Sequence, residues 1–117
     1  MAVMVVDDNA DGAESLAELL RSEGLEVRVA HDGAAALALA EAWRPRAMLV
    51  DIGMPGMRGH EVARQLRAEA WGRRMLLVAL TGWSRTEDRR QSSEAGFDEH
   101  LVKPVNLDRL LALLAAG

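Results

Sequence analysis

Three stretches of the chain, Met1 to Val6, Ala47 to Val50 and Met75 to Leu80, are short and almost unbroken apolar runs. That pattern predicts strands buried on both faces of a parallel sheet. Glu26 to Ala30 alternates instead, with Val27 and Val29 set against Glu26 and Arg28, and predicts an edge strand with one wetter face. Glu99 to Val102 is a weaker strand signal that gains weight from its place in the series.

Between the strands, apolar residues recur three and four apart: Ala13, Leu16, Ala17 and Leu20, then Ala36, Leu37, Ala40 and Trp43, then Val62, Ala63 and Leu66. The last stripe is the clearest, with Leu107, Leu110, Leu111 and Leu114 following Asn106, a suitable N-cap after Pro104. Gly24 and Pro45 mark helix stops. Ser84 to Glu94 has no apolar residue, although Ser84 and Glu87 form a capping box. A helix there has little to hold it to a core and is expected to be among the most mobile elements. Strand and helix alternating five times with short connections imply right-handed crossovers and a doubly wound α/β sheet. Ligands of such sheets sit beyond the carboxyl ends of the strands.

Composition narrows the function. The 117 residues carry 14 Lys and Arg against 18 Asp and Glu, 14 − 18 = −4, and half the residues are apolar. This predicts a single globular domain over 1–117, with no output domain following it. The absence of cysteine removes disulfides, thiolate metal sites and thiol nucleophiles together. An acidic balance without a Lys or Arg run longer than two argues against direct nucleic-acid binding. No apolar run approaches the ~20 residues that cross a bilayer, and no basic flank marks a secretory signal, so a cytoplasmic domain without a membrane role is expected.

The carboxyl-end rule selects Asp7 and Asp8 after the first strand, Asp51 at the end of the third, Thr81 after the fourth and Lys103 after the fifth. A carboxylate ending an apolar run loses hydration unless something compensates it. Three carboxylates on one rim also repel one another unless a cation neutralises them. A hard divalent ion with oxygen ligands answers both demands, Mg²⁺ or Mn²⁺ in its place. Beside such an ion an ionised Asp51 can attack a phosphoryl group, Lys103 can pair with the transferred phosphate, and the Thr81 hydroxyl can donate to it.

These residues carry a resemblance. Asp7 and Asp8, the stretch Asp51-Ile52-Gly53-Met54-Pro55-Gly56-Met57 closing with Gly59, Thr81-Gly82 and Lys103-Pro104 are similar, in order and position, to the signature of the response-regulator receiver domain of two-component phosphorelays. The likeness spans essentially the whole chain. It implies a flavodoxin-like (βα)5 fold with a five-stranded parallel sheet in the order 2-1-3-4-5, in which Asp51 accepts a phosphoryl group and the Ser84 to Val105 surface responds. It also implies that Asp8 contacts the metal directly and Asp7 mainly through water, that Asp51 and the Gly53 carbonyl complete the protein ligands, and that Lys103-Pro104 is a cis peptide. The expected donor is a histidine kinase or histidine phosphotransfer protein. A downstream protein and a weak homodimer complete the partner set. The domain is expected to be a phosphoacceptor with self-catalysed transfer rather than an enzyme.

Departures from the family pattern are as informative. His100 stands three residues before the motif lysine, where receivers usually carry Tyr or Phe. A ring there can stack and hydrogen-bond near Thr81, and its charge would make the output partly pH-sensitive. Gly53 and Trp83 occupy the two positions that tune phosphoryl lifetime in receivers, and neither can orient a water with a carboxylate or amide. Trp83 is expected either to cover the site and slow dephosphorylation or to point away as a surface anchor for a partner. Arg58 reads as surface variation, and His31 and His60 as solvated positions without metal-ligand spacing. Trp43 and Trp71 read as core caps, and Leu113, off the main stripe, as a hint of a docking surface. Thr81-Gly82-Trp83 and Lys103-Pro104-Val105 resemble receivers attached to hybrid histidine kinases.

Two enzyme or cofactor readings fit less well. An aspartyl-phosphate phosphatase of the haloacid-dehalogenase type needs an Asp where Gly53 stands, and a flavin site needs a Ser, Thr and Gly-rich first loop where Val6-Asp7-Asp8-Asn9 is acidic. A receiver-like binding module working without phosphorylation is the remaining alternative.

Overall fold

The computed structural model describes residues 1–54, 59–82 and 86–116. Strands β1 (Ala2–Val6), β2 (Glu26–Ala30), β3 (Ala47–Asp51), β4 (Leu76–Thr81) and β5 (Glu99–Val102) alternate with helices α1 (Ala10–Ser22), α2 (Gly33–Trp43), α3 (Gly59–Ala68), α4 (Thr86–Ala95) and α5 (Leu107–Ala116). A 3-10 turn, Ala70–Gly72, follows α3. The strands form one parallel sheet in the order β2-β1-β3-β4-β5. The fold is therefore the flavodoxin-like one expected, with the alternating strand β2 at an edge.

Two-residue periodicity divides the sheet between two cores. Val3, Val5, Ala47, Leu49, Val78 and Leu80 face α1 and α5, while Met4, Val6, Met48, Val50, Leu77 and Ala79 face the helices of the other layer. The helical stripes meet them as spaced: Ala13, Ala17 and Leu20 on α1, Val62, Ala63 and Leu66 on α3, and Leu110 and Leu114 on α5 are all buried. Leu113 departs from expectation. It is partly buried and packs against the α1–α5 core rather than standing free as a docking residue. Trp43 and Trp71 pack against the opposite core, with Arg28 and Arg44 over their rings at 4.5 and 5.2 Å.

The helix ends follow local chemistry. Asn106 Oδ1 accepts from the Arg109 amide at 3.0 Å, as expected, and Asn9 and Asp32 cap α1 and α2 in the same way. After α1, Gly24 turns at φ 89° and the Leu25 amide returns to the Leu20 carbonyl. The Ser84 end of the expected capping box lies outside the described residues. Helix α4 is nevertheless held by a polar contact: Ser92, buried near its end, places Oγ 3.2 Å from His60 Nε2 and 3.3 Å from His100 Nδ1.

Candidate functional site

The strand ends deliver the site. β3 extends one residue beyond its apolar run, so Asp51 is held in the ladder opposite Leu80 while its carboxylate stands at the rim. The Ile52 amide donates to the Leu80 carbonyl at 3.1 Å and the Gly53 amide to Asp51 Oδ1 at 2.9 Å, fixing the acid from both sides. Gly59 allows this loop to close on α3, because a Cβ there would lie 2.8 Å from Ile52 Cα and 2.9 Å from the Asp51 carbonyl oxygen. Asp7 is anchored by its own amide to the Ala30 carbonyl and by the Asn9 amide on Oδ1. Thr81 is buried, and its carbonyl accepts the Lys103 amide at 2.7 Å, which brings β5 and its lysine to the same rim. The Lys103-Pro104 peptide is cis.

Lys103 joins the two inner acids, its Nζ 3.0 Å from Asp7 Oδ2 and 3.4 Å from Asp51 Oδ2. Ninety-six positions separate Lys103 from Asp7 in the chain. The environment then splits the carboxylates. Burial raises the pKa of Asp51, and the charge of Asp7 adds to this, against the Gly53 amide and Lys103. Burial acts on Asp7 too, but the Asn9 amide and Lys103 together hold its pKa below the ordinary value. For Lys103, burial is outweighed by the two acids, which raise its pKa and keep it an ammonium.

Asp8 is exposed beside this pair, and one carboxylate oxygen each from Asp7, Asp8 and Asp51 lie within 4.8 Å of one another. The donors are hard oxygens, and three carboxylates with one ammonium sum to −3 + 1 = −2. A hard divalent cation fits that set in both donor type and charge.

Other expected positions fall differently. His100 pairs across the sheet with Ala79 and bonds Ser92 on α4, and among the described residues its Nε2 is buried without a partner. His60 is half-buried against Ser92 and Phe97 rather than solvated, because α3 packs beside α4. His31 is exposed, yet its Nδ1 lies 3.2 Å from the Asp7 carbonyl and donates to it. The Ser92 bridge has no local sequence signal, since a lone serine in a polar helix reads as solvated. Trp83, Arg58, Pro55, Gly56 and Met57 lie outside the described residues.

Comparison with known proteins agrees with this geometry. The family model of the response regulator receiver domain matches residues 3–115. The response regulator MprA of Mycobacterium avium is 39% identical over 116 residues, covering 99% of this chain and 50% of its own length. The chain thus spans about half the length of that regulator. An uncharacterised 14.6 kDa protein of Leptolyngbya boryana is 36% identical over 97% of this chain and 87% of its own. Among solved structures, the Vibrio cholerae chemotaxis protein CheY4 superposes with a TM-score of 0.92 at 30% identity, over 98% of this chain and 96% of its own. The receiver domain of the sensor histidine kinase PA1611 from Pseudomonas aeruginosa gives 0.89 at 32% identity, over 98% and 94%, and is described with a magnesium ion coordinated in its active-site cleft.

Proposed function

This chain belongs to the response-regulator receiver family, and from that premise we propose that Asp51 is its phosphoacceptor, served by Lys103 and Thr81. The observation that carries the reading is the lysine bridge: one ammonium within 3.4 Å of both the candidate acceptor and Asp7. The ionised Asp51 oxygen attacks the phosphorus of a phosphohistidine in a histidine kinase or histidine phosphotransfer protein. The P–N bond breaks, and the imidazole of the donor leaves with the electron pair. Lys103 transfers its contact from Asp51 to the new phosphoryl oxygens, while remaining held by Asp7. Thr81 donates its hydroxyl to the same group, drawing the end of β4 toward the site.

Asp7, Asp8, Asp51 and the Gly53 carbonyl are the groups that would hold Mg²⁺. When bound, the ion supplies positive charge for the carboxylates and the phosphoryl oxygens at once. His100 with Pro104 conveys the change to the α4–β5 surface. The protein is a signalling switch, and the step at Asp51 is its own chemistry on a donor's phosphoryl group.

Intact mass after incubation with acetyl phosphate and Mg²⁺ tests this, beside Asp51→Ala and a chelated control. One added phosphoryl group that requires both the metal and Asp51 is the expected result. No gain with acetyl phosphate or with a phosphorylated histidine phosphotransfer protein would favour a receiver that signals by binding alone.

A further inference from the structure

At the end of the sheet opposite the acidic rim, the fold gathers arginines that the sequence keeps apart. Arg44 and Arg46 flank Pro45 between α2 and β3, and Arg74 lies between the 3-10 turn and β4. Pairing of Ala47 with Leu76 sets these two connections side by side, and the Leu76 amide donates to the Arg46 carbonyl at 3.0 Å. With Pro45, Trp71 and Met75 the three arginines line an open cavity of about 200 Å³. One wall is cationic and exposed, while Pro45 and Met75 on the other are buried and Trp71 is half-buried. Among the described residues, neither Arg44 nor Arg74 has a carboxylate within ion-pair distance.

Backbone strain at Arg44 points the same way. It ends α2 at φ 50° and ψ 66°, a left-handed conformation that favours glycine. An arginine kept there at a conformational cost places its guanidinium 5.2 Å from the Trp71 ring centroid, on the cavity wall. Guanidinium groups are well matched to phosphoryl oxygens, which they grip through paired donors.

We propose that this cavity binds a phosphorylated anion with two or more phosphoryl groups, either a free diphosphate or the phosphate chain of a nucleotide. Arg44 and Arg74 take the phosphates, and the half-buried Trp71 takes the ring when one is present. The site stands apart from the chemistry at Asp51 and does not depend on it.

Titrating the ¹⁵N-labelled protein with pyrophosphate and separately with ADP, in EDTA so that the acidic rim holds no divalent ion, tests the proposal. The Trp71 indole N–H signal, identified by its loss in Trp71→Phe, is expected to shift saturably. Arg74→Glu and Arg44→Ala should each weaken binding about tenfold, whereas Arg64→Glu, the same charge change on an exposed α3 arginine, should alter it less than about twofold. Tighter binding of ADP than of pyrophosphate adds the ring to the site, and equal binding assigns the phosphates alone. No saturable shift with either probe, or an equal loss in Arg64→Glu, overturns the proposal. Phosphoryl loading of Asp51 in Arg74→Glu should match the unaltered chain, so a failure here leaves the acceptor reading standing.

Discussion

Lys103 is the sole lysine in a chain with thirteen arginines, and it is the side chain that spans Asp7 and Asp51. That bias is a sequence signal in itself, since a compact ammonium on a flexible stem can pass from a carboxylate to a phosphoryl group where a rigid guanidinium cannot. The two acids it touches act on stability with opposite sign. The pKa of Asp7 is lowered, so its contribution is present above the ordinary value of 3.8 and is lost as pH falls through the lowered one. Asp51 is raised above 3.8, so the folded state binds the extra proton and stability declines as pH rises through that window. Asp51→Asn should therefore stabilise the metal-free protein at pH 7 by about 1 kcal/mol, near 4 °C in Tm, and should remove that decline. Lys103→Met should do the reverse, costing about 2 kcal/mol or more by leaving two partly buried carboxylates without their cation. Thermal melts from pH 4 to 8 check both, and an Asp51→Asn protein less stable than its parent would refute the assignment of Asp51 as the strained acid.

Among the elements, α3 does more than cover the sheet. Arg67 on it donates Nε to the Gly96 carbonyl at 2.9 Å, Nη1 to the carbonyls of Gly72, Arg73 and Met75, and Nη2 to Asp98 Oδ2 at 2.8 Å. Asp98 in turn accepts the Leu77 amide, so one side chain ties α3, the 3-10 turn and the entries to β4 and β5. An arginine on an amphipathic helix reads as surface charge, and only the convergence of four chain segments gives Arg67 this work. Arg67→Met, which keeps the stem and removes the fork, should cost about 3 kcal/mol by urea unfolding, with Arg67→Lys recovering little of it. A loss below about 0.5 kcal/mol would show that water satisfies those carbonyls equally well. Helix α4 makes a similar point. Its polar composition correctly predicts the lack of an apolar stripe, whereas its attachment through Ser92 to His60 and His100 depends on partners 32 and 8 positions away.

Taken whole, the molecule gathers Asp7, Asp8 and Asp51 at the carboxyl ends of the strands and Arg44, Arg46 and Arg74 around connections at the other end. Beside the acidic rim an open cavity of about 360 Å³ runs from Asp7 and Lys103 along Leu16 and Leu19 of α1. Leu19 is 51% exposed, whereas the neighbouring leucines of α1, Leu16 and Leu20, are partly and fully buried. A donor protein bringing a phosphohistidine to Asp51 must rest on what borders the site, so Leu19→Glu should slow phosphoryl transfer from the protein donor about tenfold and leave acetyl phosphate loading unchanged. Equal slowing with both donors would place the effect in the site instead of the docking surface. The strands, the apolar faces of α1, α3 and α5, and the acidic, threonine and lysine positions at the strand ends were all legible in the linear chain. They rest on periodicity and on the rule that parallel strands present their carboxyl ends together, both local or topological properties. The lysine bridge distances, the split between Asp7 and Asp51, the Arg67 clasp, the Ser92 link and the arginine cavity were decided by the tertiary structure, because each is a contact between segments whose separation carries no periodic signal.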